Sequence, residues 1–187
     1  MALKATIFRV GLTLSDLDRH RYESHRLTLA RHPSETDERL MVRVLAFALE
    51  ADEDLAFGTG LSTDDEPALW IVRPDATIDH WIEVGLPDPK RLRQALGRAE
   101  RVTLYSYGGS KSELWWQRNG TEIAGLARPV RVVELAEAST RALAALARRD
   151  LELTVTIQDG RIWVADDADG LVEITPEERT PGAPGRD

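Results

Sequence analysis

The sequence predicts one α/β domain. A central mixed sheet is flanked by helices, and an additional antiparallel sheet is built from an amino-terminal hairpin and a carboxy-terminal meander. Three observations carry this: a hairpin followed by strand–helix–strand across residues 68–107, the alternation at Ala5–Thr13, and Asp159-Gly160 between two alternating runs. The chain has 187 residues, 42% of them hydrophobic, which suits one domain with a sizeable core. We place that domain at residues 1–175. From Pro176 onward Pro, Gly and charge dominate, which predicts a disordered tail over 176–187.

Ala5–Thr13 alternates with Thr6, Phe8, Val10 and Leu12 on one face, and Tyr22–Leu29 is its antiparallel partner. Ser34 is placed to cap a helix whose stripe of Met41, Val44, Leu45 and Ala48 recurs at helical spacing to about Ala51. Glu35 and Glu38 fall in its first turn, where the helix dipole favours acidic side chains. Ala68–Val72 and Ile78–Val84 flank the turn Arg73-Pro74-Asp75-Ala76. A helix over Pro89–Arg98 then connects to a strand over Val102–Tyr107, the pattern of a right-handed parallel crossover. Further on come a short helix at Ser112–Asn119, a strand at Val130–Leu135 and a helix at Ser139–Arg149. The strands Leu151–Ile157, Arg161–Ala165 and Leu171–Ile174 complete the meander.

Composition narrows the function. There are 32 acidic against 24 basic residues, a net charge of −8, which argues against holding nucleic acid by bulk charge while leaving room for a local basic groove. With no Cys there is no disulfide, thiolate zinc site or cysteine nucleophile. The amino terminus lacks a secretory h-region, and no run of about 18 apolar residues occurs, so the expectation is a cytoplasmic protein with no membrane contact. The four His show no zinc spacing, no Gly-x-Ser-x-Gly surrounds a serine, and Gly108-Gly109-Ser110-Lys111 lacks a full phosphate-loop pattern.

The hairpin is where acidic chemistry concentrates. A tight turn centred on Pro74 and Asp75 pairs residues whose numbers sum to 149, so Glu66 faces Glu83. Directly opposite Cβ atoms lie about 4.5–5.5 Å apart, close enough for two carboxylates to share Mg²⁺ or Mn²⁺. A loop two residues longer moves Ala68 opposite Glu83 and leaves Glu66 diagonal; an odd shift substitutes Asp65. Asp79 shares the face of Glu83 but lies about 13 Å along the strand. The same register sets Trp70 against Asp79 and Trp81 against Ala68, on the acidic face, with His80 turned away. The following helix supplies Lys90, Arg91 and Arg93, cations suited to the charge that develops in phosphodiester hydrolysis. A run such as Asp64-Asp65-Glu66 is more often a solvated loop than a metal site. Gln117, after a Trp pair, is placed to position substrate or is an ordinary exposed Gln.

Several stretches carry a family resemblance. These are Met1-Ala2-Leu3-Lys4-Ala5-Thr6-Ile7, Leu27 through Thr36, Asp65-Glu66-Pro67 with Trp70, and Asp79 through Asp88, together with Trp115-Trp116-Gln117 and Ile157 through Trp163. In these segments the chain resembles the YaeQ family over nearly its whole length, the string Glu83–Asp88 being the most specific. The resemblance implies a variant of the PD-(D/E)XK nuclease-like fold, with no established activity. It makes Glu83 the acidic residue of the (D/E)XK element and places Gly85 where that motif has its lysine, with Asp65-Glu66-Pro67 in place of Pro-Asp. A cation from the helix, Lys90 or Arg91, is the nearest replacement.

Two functions follow as expectations. One is a divalent-metal-dependent phosphodiesterase or nuclease, with Glu66, Glu83 and Asp65 as metal ligands, Asp79 or Asp65 as auxiliary acid, and Lys90 or Arg91 as electrophile. The other is a non-catalytic module of the same fold that binds a protein or nucleic-acid partner.

Overall fold

The computed structural model describes residues 5–58 and 66–180. In chain order the elements are β1 (Thr6–Asp16), β2 (Arg21–Arg31), α1 (Asp37–Leu49), β3 (Leu55–Phe57), β4 (Leu69–Val72), β5 (Ile78–Val84), α2 (Pro89–Arg98) and β6 (Ala99–Tyr107). There follow α3 (Ser110–Ala124), β7 (Arg131–Leu135), α4 (Glu137–Ala145), β8 (Asp150–Gln158), β9 (Arg161–Asp166), β10 (Leu171–Ile174) and β11 (Glu177–Glu178).

The strands form two mixed sheets. One has the order β11-β7-β6-β5-β4-β3, with β5, β6 and β7 parallel and the outer strands antiparallel. The other has the order β10-β9-β8-β1-β2. We expected this second sheet to be antiparallel, but β1 and β8 run parallel, from Arg9↔Asp150 to Asp16↔Ile157. The amino-terminal hairpin and the carboxy-terminal meander thus meet through a parallel pair, which long connections allow and a hairpin does not.

Between the sheets lies α1, whose residues Leu40 to Ala48 are all buried, as befits a helix covered on both sides. Phe8, Val10, Leu12 and Leu14 of β1 and Ile71 and Ile82 of the other sheet share its core. The opposite face of the six-stranded sheet packs Trp81, Val102 and Leu104 against Leu92 and Leu96 of α2 and Trp116 of α3.

Four local expectations are corrected. The β4–β5 hairpin gains two residues on its second strand. Ala76 enters the left-handed region (φ 67°) and lengthens the turn, and a β-bulge interrupts the ladder at Asp79, so Leu69 pairs Ile82 and Trp70 pairs Trp81. Continuing this register sets Ala68, not Glu66, level with Glu83, and Trp70 no longer opposes Asp79. Thr36 replaces Ser34 as the cap of α1, its Oγ1 accepting from Arg39 N at 3.1 Å, because the helix starts two residues later than predicted. The short helix predicted at Ser112–Asn119 runs from Ser110 to Ala124. Finally, the tail predicted to be disordered from Pro176 begins as β11, paired with β7. Residues 181–187 lie outside the described part of the chain.

Candidate functional site

Open α/β sheets present their chemistry at the carboxyl ends of parallel strands. There β5 ends with Glu83 and Val84, followed by Gly85 and the start of α2. Asp88 caps that helix, its Oδ1 accepting from Lys90 N at 2.8 Å, and Pro89 occupies the first turn, where its missing N–H costs nothing. With Leu92, Ala95 and Leu96 buried on the sheet, the first turn carries Arg91 over the end of β5.

Glu83 is 4% exposed. Its Oε1 accepts from Trp81 Nε1 and from Arg91 Nε, both at 2.7 Å. Arg91 Nη2 donates to the Glu66 carbonyl, also at 2.7 Å, so one guanidinium ties the β4 approach to the end of β5. Arg91 and Arg98 both lie over the Trp81 ring, at 5.9 and 5.1 Å from its centroid, and Trp70 meets Trp81 edge-on. Burial raises the Glu83 pKa; Arg91, the Trp81 N–H and the more distant charge of Arg39 oppose that rise without cancelling it.

Gly85 has a backbone reason to be glycine. Its φ is 111°, where an L side chain is strained, and its N–H donates to Tyr105 O at 2.9 Å. Any L side chain at this position would be strained, and Arg91 is a cation that reaches Glu83.

Of the remaining predicted residues, Asp79, Lys90 and Gln117 do not gather here. Asp79 is held at the other end of β5 by Arg101 (2.9 Å) and Arg73 (3.0 Å), which keep its pKa low. Lys90 is exposed on α2, and Gln117 is exposed on α3, donating to Glu113 at 3.3 Å. Glu66 is half-buried and touches Arg91 through its carbonyl; Asp65 lies outside the described residues. Among the described residues no three His, Asp or Glu side chains are grouped to hold a metal ion.

One cluster escaped sequence reasoning. Glu35, expected to serve the helix dipole, precedes α1 and is buried, with Arg39 Nη1 at 2.7 Å and Arg43 Nη1 at 3.1 Å from its Oε1. Glu38 likewise has a partner, accepting from Thr140 Oγ1 at 2.6 Å. Arg39 and Arg43 are spaced i, i+4 along α1, and Glu35, in the approach to the helix, turns back onto both; the recurrence of charge at 35, 39 and 43 is the signal that could have been read.

A family model described as YaeQ protein matches residues 1–176. Among relatives, the uncharacterized protein YaeQ of Escherichia coli K12 is 44% identical over 171 residues, covering 91% of this chain and 94% of that protein. That of Salmonella typhi is 44% identical over 176 residues, 94% of this chain and 97% of its own. The crystal structure of YaeQ from Xanthomonas axonopodis pv. citri superposes with a TM-score of 0.89 at 47% identity, covering 94% of this chain and 98% of that one. The one from Pseudomonas syringae gives 0.88 at 41%, covering 94% and 96%.

Proposed function

The chain belongs to the YaeQ family, and from that premise we propose that it acts by binding a protein partner at the α2/α3 side of the sheet, without metal-dependent hydrolysis at Glu83. One observation carries this reading: the Glu83 carboxylate is buried, paired with Arg91 and hydrogen-bonded by the Trp81 N–H. A divalent cation prefers six or more oxygen ligands. At this position it would have to displace a charge-assisted pair from a half-enclosed site, and the donor set present does not fit it.

A protein suits the surroundings better than a nucleic acid does. The net charge is −8, and Arg93 of α2 is spent on Glu122 of α3. Leu114, 51% exposed, offers apolar surface next to half-buried Trp115, whose Nε1 donates to Pro87 O at 2.9 Å and so ties α3 to the loop after Glu83. An exposed large apolar residue beside a half-buried Trp suits the apolar centre of a protein interface, where aromatic residues are enriched.

A second reading keeps the nuclease chemistry. In it the PD-(D/E)XK likeness holds, and Arg91 is the displaced counterpart of the motif lysine, with Glu66, Asp65 and Glu83 recruiting Mg²⁺ or Mn²⁺. The contact of Arg91 with Glu83 favours it. Thermal melting across a Mg²⁺ and Mn²⁺ titration separates the two, because a ion bound to the native state raises the midpoint. We expect a flat titration; a rise that disappears in Glu83→Ala and Glu66→Ala would establish the metal site. A photo-crosslinking residue at Leu114 or Lys90 should capture a nuclease-insensitive protein adduct that the same residue at Tyr22, on the far sheet, does not.

A further inference from the structure

The six-stranded sheet has a second polar constellation on the face away from Trp81 and Glu83. In register across β5, β6 and β7, His80 neighbours Arg101 and Thr103 neighbours Arg131, so these four side chains share the α1 face. Glu50, at the carboxyl end of α1, comes down onto them. Its Oε1 accepts from Tyr105 OH at 2.6 Å and from Arg131 Nη1 at 3.1 Å, and its Oε2 lies 3.9 Å from His80 Nδ1. The other ring nitrogen, Nε2, lies 2.8 Å from Thr103 Oγ1.

The Glu50 carboxylate, at 3.9 Å beyond direct hydrogen-bond reach of Nδ1, favours through its charge the tautomer with the proton there, which leaves Nε2 to accept from the Thr103 hydroxyl. The order carboxylate, Nδ1, Nε2, hydroxyl is that of a nucleophile-activating relay. Burial lowers the His80 pKa, against the pull of Glu50 and Asp79 and with the push of Arg101 and Arg131, which favours the neutral ring whose Nε2 can accept a proton. Glu50, His80, Arg101, Thr103 and Arg131 all line one cleft of about 480 Å³, a volume suited to a small molecule.

We propose that Glu50, His80 and Thr103 form a hydroxyl-activating site in this cleft, with small carboxylic esters bearing an anionic group as acyl donors. Thr103 Oγ1 bonds to the ester carbonyl carbon as its proton passes to His80 Nε2. The tetrahedral adduct collapses, the ester C–O bond breaks, and the leaving alcohol takes the proton back from His80. Water then bonds to the acyl carbon as its proton passes to His80 Nε2, the acyl C–Oγ1 bond breaks, and Thr103 Oγ1 takes that proton back as the acid leaves. Arg101, two residues along β6 from Thr103, and Arg131, across from it on β7, are both about half-exposed; Arg101 pairs with Asp79 and Arg131 with Glu50 and Glu178, and their remaining N–H donors favour the anionic group. This site is separate from the Glu83 centre and stands or falls independently of the partner-binding reading.

The test uses the full chain with 4-nitrophenyl acetate and a 4-nitrophenyl ester carrying a carboxylate on its acyl group, following nitrophenolate release and the acylated peptide by mass spectrometry. We expect acyl-Thr103, faster with the anionic ester, retained in Thr103→Ser, absent in Thr103→Val and slowed by about 100-fold or more in His80→Gln. Arg101→Met should remove the preference for the anionic ester while acylation by the acetate persists. Melting midpoints separate unfolding from lost chemistry; if Thr103→Val unfolds, the Thr103→Ser and wild-type peptide maps decide. No acyl-Thr103 in the wild type, or an adduct that His80→Gln leaves undiminished, would overturn the proposal.

Discussion

Arg91 Nε sits 2.7 Å from Glu83 Oε1 while Nη2 of the same guanidinium holds the Glu66 carbonyl at 2.7 Å. Two donors of one planar group thus bridge three segments, a geometry that a single ammonium does not reproduce. Arg91→Met should cost about 3 kcal/mol, because it leaves the Glu83 carboxylate buried without its cation. Arg91→Lys should recover less than half of that loss. Urea denaturation at pH 7 reads both, and a cost below about 1 kcal/mol for Arg91→Met would mean that the pair is solvent-screened.

Glu83 should also leave a mark on the pH dependence of stability. Its folded pKa lies above the ordinary 4.5, with burial the largest cause. Between 4.5 and that raised value the folded state therefore holds more proton than the unfolded chain. The contribution is complete below pH 4.5 and is lost as pH rises through the folded value. Glu83→Gln keeps the shape without the titration. Wild-type stability minus that of Glu83→Gln should fall from pH 4 towards neutrality, and a difference that grows with pH would contradict the sign.

The parts legible in the sequence were those governed by local pattern. The ranges Ile78–Val84, Pro89–Arg98 and Leu171–Ile174 were read to the residue, since alternation, a proline in the first turn and flanking turn residues are all near neighbours. The pairing of Glu66 with Glu83 failed because it rested on turn length. The left-handed Ala76 and the bulge at Asp79 each add a residue, and neither alanine nor aspartate announces that. Arg91 was named as a candidate cation, but its role as the partner that seals Glu83 depends on how α2 lies on the sheet. The parallel pairing of β1 with β8 joins segments more than a hundred residues apart, a choice made by the packed core and not by either strand.

The buried triad at the start of α1 gives a sharper stability test. Arg43 is 1% exposed, and burial lowers its pKa against the pull of Glu35. Its Nε has no hydrogen-bond partner, so Glu35 is the main compensation for a buried cation. Glu35→Ala should destabilise by about 3–5 kcal/mol, whereas Glu35→Met combined with Arg43→Met should be markedly milder because neither charge is left behind. Guanidinium denaturation of both variants checks this; equal losses would show packing, not charge, to be the cause.

Arg179 makes the segment after Pro176 a strap. Its N–H donates to Val132 O at 2.9 Å, extending the pairing of β11 with β7. Its guanidinium reaches Glu113 of α3 at 2.7 Å and Glu134 of β7 at 3.4 Å, and lies over the Trp116 ring. Glu134 in turn accepts from Ser106 and Ser112, both at 2.6 Å, so the same carboxylate ties β6, β7 and the first turn of α3 together. Ending the chain after Pro176 removes these contacts and leaves Glu134 without its cation. A loss of about 2–3 kcal/mol is expected, given that Arg179 is only 14% exposed and that hydrogen bonds to charged groups contribute about 1.5–3 kcal/mol. Arg179→Ala should account for most of it, and hydrogen exchange at the α3 amino terminus should quicken in both. A truncated chain as stable as the full one would mean that the strap rests on the surface without holding it.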